Sequence, residues 1–427
     1  MAQGFGLPDG QKHQKIKFEL INNLIVVPLQ INGAELSFVL DSGVSKPILF
    51  NITEQDSIQI NNVSEITING LGDGDPIKAL RSVHNTFKLG NAASFDQELY
   101  VVLDKDINFS PFLGVTVHGI IGYDLFRDFV VELNYGSRWI KLHAPELYAK
   151  KHKKKAVTLP LSIVNRKAYV DGSIIVKKSE DIPVKLLVDT GSSDALWLFK
   201  DADKGLEVPT KHYEDFLGRG LNGDIFGKRT KVSGIKIGDF EFKNAKAAFP
   251  YREFFGGITN LGDRNGSVGG EILKRFNIVF DYQNEQVTLR RNVHFSSPFQ
   301  YNMAGIDLQH NGMRYIAERI ADSNGVVRNP DKESTFGNVQ ILLQNRTRLN
   351  LVPEIIVSGI RAGSPAAEAG LKEGDVILAV NGKRVHNYKL QEILKMLNEK
   401  EGKRIRVLIE RYDRDMTFSF VLKNLFE

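Results

Sequence analysis

Two short stretches of this chain carry side chains that could do chemistry together. Asp41-Ser42-Gly43 closes the apolar run Leu36-Ser37-Phe38-Val39-Leu40, and Asp189-Thr190-Gly191 closes Val184-Lys185-Leu186-Leu187-Val188. Each is an acid, a small hydroxyl residue and a glycine at the end of a predicted strand. A single copy reads as an ordinary turn, because these residue types favour turns. Two copies in matched surroundings read as a pair. Two carboxylates about 3 Å apart cannot both ionise easily, so they share a proton and their pKa values separate. The ionised acid takes a proton from a water held between them, and the other donates to a carbonyl oxygen. No metal, cofactor or covalent intermediate enters this chemistry. Ser42 and Thr190 would each bond to the opposite loop and hold the acids coplanar. Gly43 and Gly191 would let the two backbones approach.

The elements that must position these acids occur twice. Residues 15–142 read as β-rich: alternation over 16–20, a run over 25–31, an Asn32-Gly33 hairpin signal and the strand into Asp41. A strand over 65–70 leads to the glycine-rich tip Leu71-Gly72-Asp73-Gly74-Asp75-Pro76, and further strands fall at 86–89 and 99–103. Residues 118–135 read as strand, short helix and strand. Residues 156–291 repeat the plan, with Gly220-Leu221-Asn222-Gly223-Asp224 in the place of the first tip and Gly269 in the place of Gly122. Gly122 lies 81 residues after Asp41, and Gly269 lies 80 after Asp189. That register implies two similar lobes related by a pseudo-twofold axis. Both acids lie in one chain, so no homodimer is required.

The bulk numbers set the frame. At 427 residues the prior is two or three domains. The formal charge of +5 is mild, and part of it sits in Lys150-Lys151-His152-Lys153-Lys154-Lys155, read as a solvated linker between the lobes. No aromatic residues interleave those lysines, which argues against nucleic acid. The absence of cysteine excludes disulfides, thiolate metal sites and a cysteine nucleophile. Asp73, Asp75 and Asp224 sit in hairpin-type tips without ligand spacing, so no metal is expected. No run of about 18 apolar residues could span a membrane. The start Met1-Ala2-Gln3-Gly4 lacks the regions of a secretory leader, and Ala-Gln before a polar segment resembles what a cut leader leaves.

The last 130 or so residues differ in character. Ser364 is placed to cap a short helix with Pro365 at its first position and Gly370 at its end. Asn381-Gly382 marks a hairpin, an amphipathic helix is predicted over 389–398, and strands over 405–409 and 417–421 close the chain.

Val188-Asp189-Thr190-Gly191-Ser192-Ser193-Asp194-Ala195-Leu196-Trp197 resembles the active-site motif of pepsin-like aspartic proteases. Ile120-Ile121-Gly122 and Ser267-Val268-Gly269 resemble the apolar-apolar-Gly element beneath each active-site loop of that family. Lobes of about 140 residues are closer to enlarged retropepsin units. The resemblance implies a mainly β fold: two pseudo-twofold related double-ψ β-barrel lobes, over 15–145 and 156–293, joined by a linker over 146–155. It implies peptide-bond hydrolysis with Asp41 and Asp189 as the dyad. Sharing of one proton between paired acids is the known behaviour of this family's dyad. Three departures stand out: the tip at 70–76 has no tyrosine, Ser42 replaces threonine, and Val44 replaces a hydroxyl residue.

Gly363-Ser364-Pro365-Ala366-Ala367, Gly370-Leu371-Lys372-Glu373-Gly374-Asp375-Val376-Ile377 and Val380-Asn381-Gly382 resemble a PDZ domain of the bacterial processing-protease type. This implies a small α+β domain over 296–427. The backbone of Asn302-Met303-Ala304-Gly305-Ile306 would hold a peptide carboxylate, and a peptide C-terminus or internal strand would add beside it. About thirty residues between Ile320 and Asn350 have no PDZ counterpart. The arrangement resembles extracytoplasmic proteases of bacteria, notably of the Bacteroidetes type, which implies a periplasmic or surface location. The expected activity is therefore an aspartic endopeptidase acting on peptide or protein. The rival is a non-catalytic adaptor that binds chains in the cleft without cutting them.

Overall fold

The computed structural model describes residues 4–52, 57–72, 74–149, 154–177, 180–255, 262–320 and 346–426. Residues 150–153 of the basic run, Asp73 of the first tip and most of the segment without a PDZ counterpart lie outside the described residues. The fold is mainly β. It divides into two compact units, Met1–Met303 with Lys423–Glu427, and Ala304–Leu422. The second unit thus begins at Ala304, eight residues after the sequence-based boundary at 296.

The first unit holds the repeat. Each lobe is an eight-stranded sheet, and the two sheets match strand for strand. In the first lobe the strand Ala34–Leu40 runs antiparallel to Leu24–Ile31 and parallel to Gly119–Ile121. In the second, Glu180–Val188 runs antiparallel to Lys167–Lys177 and parallel to Gly266–Val268. The alternation in Phe38 and Leu40 puts those side chains into the core, where both are fully buried. The predicted strand–helix–strand is Gly119–Ile121, Tyr123–Asp128 and Val130–Asn134.

A third sheet of six strands, not expected from the sequence, joins the lobes. Its centre is the antiparallel pairing of Val130–Asn134 with Phe276–Asp281, in which Val131 faces Phe280. His13–Lys17 forms one edge against Trp139–His143, and Ala156–Pro160 forms the other. The predicted strand over 16–20 is therefore two strands. His13–Lys17 belongs to the joining sheet, and Glu19–Ile21 belongs to the first lobe. The break falls at Phe18, whose N–H donates to the Arg138 carbonyl (3.1 Å).

Within the second unit, Ile306–Ile320 is an edge strand of a sheet that continues through Arg346–Ile360, Val376–Val380, Arg404–Arg411 and Arg414–Val421. The helix Leu390–Leu397 lies within one residue of expectation at each end and buries Leu390, Ile393 and Leu397. Ser364 caps Pro365–Glu368 by accepting from the Ala367 N–H (3.2 Å).

Candidate active site

The two loops that end Ala34–Leu40 and Glu180–Val188 interlock. The Ser42 hydroxyl donates to the Val188 carbonyl (2.6 Å) and accepts from the Thr190 N–H (3.0 Å). Thr190 reciprocates, donating to the Leu40 carbonyl (2.7 Å) and accepting from the Ser42 N–H (2.9 Å). Both hydroxyl residues are fully buried. Four cross-lobe bonds thus fix the backbones on either side of the pseudo-twofold axis.

Each acid is then aimed by its own glycine. The Gly43 N–H donates to Asp41 Oδ1 (2.7 Å), and the Gly191 N–H donates to Asp189 Oδ1 (3.0 Å). A Cβ on Gly191 would lie 2.2 Å from the Asp41 carboxyl carbon, so only glycine lets the opposite acid sit there. Under the first loop, a Cβ on Gly122 would lie 1.8 Å from the Asp41 carbonyl oxygen. The two carboxyls are hydrogen-bonded to each other. Burial, then the Asp189 charge, pushes Asp41 up to about 7, against the pull of the Gly43 N–H. Burial also raises Asp189, but Arg264, the Gly191 N–H and Lys167 oppose it. Lys167 pulls on both acids and Arg264 on Asp189, so it is Arg264 that biases the shared proton toward Asp41 and the charge toward Asp189.

Behind each loop stands an ion pair, with its polarity reversed between lobes. Lys46 follows Asp41 by five residues and pairs with Glu98. Asp194 follows Asp189 by five and pairs with Lys246 (3.3 Å), which occupies the repeat position of Glu98. Arg81 and Arg229 also match: Arg81 holds Glu98 (2.6 Å), and Arg229 holds Asp194 (2.9 Å) and Asp215 (2.5 Å). The Trp197 indole N–H adds a further bond to Asp194 (2.8 Å). Burial alone would raise Asp194, yet Arg229 and Lys246 outweigh it and hold the carboxyl well below the usual range. Asp194 is thus a charged brace for the second loop.

The tips at 70–76 and 220–223 are hairpin ends that meet each other. Asn222 Oδ1 accepts from the Gly70 N–H (2.6 Å) and its Nδ2 donates to the Asp75 carbonyl (2.8 Å). On the backbone, the Asn222 N–H donates to the Leu71 carbonyl (2.9 Å) and the Gly74 N–H to the Asn222 carbonyl (2.6 Å). The leucines cross over. Leu71 packs on the second-lobe cluster around Trp197, Phe254 and Phe255, and Leu221 packs on the first-lobe cluster around Phe50 and Val117. Two mutually latched tips stand where a single tip tyrosine was looked for.

A family model for aspartyl proteases matches residues 27–125 and 172–265, one segment around each acid. The matched segments, one in each lobe, belong to the aspartyl-protease family. A PDZ-domain model matches residues 356–411. Among solved structures, an aspartic proteinase from Irpex lacteus is similar at 15% identity, covering 67% of this chain and 99% of that one, with a TM-score of 0.43.

In this chain the structure brings together Asp41, Ser42, Gly43, Asp189, Thr190 and Gly191, all within the first unit. Of the carboxylate-loop candidates, Met303 ends that unit and Ala304, Gly305 and Ile306 begin the PDZ unit. Ala304 and Ile306 are fully buried, and the Ala304 N–H is occupied by Asn398 Oδ1 (3.1 Å). Gly305 adopts φ +73°, and its carbonyl accepts from the Arg361 N–H (2.9 Å). Sequence reasoning missed Asn222, Lys167 and Arg264. Asn222-Gly223 read only as a turn, while Lys167 and Arg264 would have emerged from superposing the repeats, as would the reversed ion pairs.

Proposed function

We propose that the chain is an aspartic endopeptidase whose dyad is Asp41 and Asp189. The observation that carries this reading is the reciprocal Ser42–Thr190 lock, which holds two hydrogen-bonded carboxyls on the axis between the lobes. A water between the acids gives a proton to ionised Asp189 as its oxygen adds to the scissile carbonyl carbon. Asp41 gives its proton to the carbonyl oxygen, which yields a neutral tetrahedral diol. The C–N bond then breaks as Asp189 returns its proton to the leaving nitrogen and Asp41 recovers one from the diol. The assignment of base to Asp189 follows from Arg264, which favours its charge. The latched tips would have to part to admit a chain and close over it, excluding water.

The PDZ unit would bind peptide along the edge strand Ile306–Ile320, where a further strand can add. The test is hydrolysis of a peptide mixture by the wild type and by Asp189→Asn. Loss of cutting in the variant, with peptide still bound, supports the dyad. Full cutting by the variant would remove it. A wild type that binds chains and cuts none would favour the adaptor reading.

A further inference from the structure

The two lobes are copies of one plan, so a difference at matched positions isolates what one lobe has acquired. In the antiparallel pairings Val26 faces Val39, and Tyr169 faces Leu187. Continuing each register by two residues brings Leu24 opposite Asp41 and Lys167 opposite Asp189. In the parallel pairings Phe38 faces Gly119, and Leu186 faces Gly266. Two residues before each glycine stands Val117 in one lobe and Arg264 in the other. Leu24 and Val117 are buried apolar residues of the first lobe. Both matched positions in the second lobe are cations.

Among the described residues, neither cation is neutralised by a salt bridge. Arg264 is only 9% exposed. Its Nε donates to the Gly266 carbonyl (2.9 Å), and its guanidinium lies 5.2 Å from the centre of the Phe199 ring. Those contacts fix its direction without supplying a counter-charge. The adjacent Asp263 is taken by Lys185 (2.5 Å). Lys167 is half-buried, and its side chain makes no hydrogen bond or ion pair among the described residues. Its neighbours in charge are Arg264, which repels it, and the two acids. A dyad that shares one proton carries one negative charge against these two positive ones. One positive charge is left over in a partly desolvated cleft, where an unpaired ion is costly.

We propose that Lys167 and Arg264 form a cationic subsite beside Asp189 that takes a carboxylate-bearing side chain of the peptide. The proposal rests on the cleft receiving peptide, as argued above, and it names the substrate class: chains with glutamate or aspartate near the bond to be cut. Tyr169 shares a strand face with Lys167, two residues along, and its hydroxyl provides a further donor.

The experiment uses the full chain and peptide pairs that differ only by Glu against Gln at each position around the scissile bond. Cleavage is read with the wild type, and binding is read by fluorescence anisotropy with Asp41→Asn. At one position Glu is expected to be preferred about 10- to 100-fold, the usual gain from a charge-assisted contact. In Lys167→Leu, which copies the first lobe, the Glu-to-Gln ratio falls toward one, and Lys167→Glu shifts preference to lysine. Arg264→Gln is the second variant, so the ratio can be read if either protein folds poorly. Equal Glu and Gln binding at every position, or a ratio that survives in both variants, overturns the subsite. Preferred binding of Glu without any cutting sustains the subsite and overturns the hydrolytic reading. Cutting without any Glu preference does the reverse.

Discussion

Replacing Thr190 by alanine tests the interlock that sets the dyad. The substitution removes one hydroxyl and leaves two buried groups without it, the Ser42 N–H and the Leu40 carbonyl. Each orphaned buried group costs about 1–3 kcal/mol, and the Leu40 carbonyl, with a second lone pair, falls at the low end. The expected loss is about 2–4 kcal/mol. At about 2–4 °C per kcal/mol for a large unit, the midpoint of thermal unfolding falls by about 4–16 °C. Trp139 and Trp197 are the chain's two tryptophans and both lie in the first unit, so their fluorescence reports that unit alone. Thr190→Ser keeps both bonds, as Ser42 does in the other lobe, and should cost under about 1.5 kcal/mol. Ser42→Ala combined with Thr190→Ala should cost clearly less than the sum of the two, because the residues share one network. A Thr190→Ala protein within 1 kcal/mol of wild type, or strict additivity in the double variant, would refute the interlock.

Asp41 holds its proton in the folded protein up to pH about 7, whereas unfolded aspartate releases it near 3.8. Between those values the folded state binds more protons, so the stability contributed by this group is full below about 4 and lost as pH rises through 7. Asparagine does not titrate; the melting temperature of Asp41→Asn minus that of wild type should therefore climb from pH 4 to 8, and a flat difference would show that Asp41 is not raised. Asn222→Ala removes the three side-chain bonds between the tips while leaving the backbone bonds formed through residue 222. Limited digestion at the tips should then quicken several-fold with the melting temperature of the unit nearly unchanged; equal digestion rates would mean the latch does not hold the tips.

What the sequence revealed about this chain was local, and what it hid was tertiary. Asp41-Ser42-Gly43 and Asp189-Thr190-Gly191 were legible because acid, hydroxyl and glycine each have one job within three residues, and the 81- and 80-residue spacings tied the copies together. Ser364 was legible as a cap for the same reason. The joining sheet was not, since Val131 and Phe280 are far apart in the chain and a strand carries no mark of its partner. The change of sheet at Phe18 was hidden because the alternation runs unbroken from Ile16 to Leu20. The strands predicted over 86–89 and 99–103 proved to be parts of Ile77–Leu89 and Ala92–Val102, which pair with each other along nearly their whole length as one bulged hairpin. Asn222 followed the chemistry of a hairpin turn, and only the meeting of two tips gave its side chain partners in the other lobe.

The central claim is that Asp41 and Asp189 act as one hydrolytic pair. It is tested most directly by cleavage of a mixed peptide library from pH 3 to 8, wild type against Asp41→Asn, with and without a pepstatin-type inhibitor. Cutting by the wild type should fade as pH rises through about 7, where Asp41 loses its proton, and the inhibitor should block it. The variant should cut nothing. Undiminished cutting by Asp41→Asn, or wild-type cutting that grows steadily to pH 8, would contradict it.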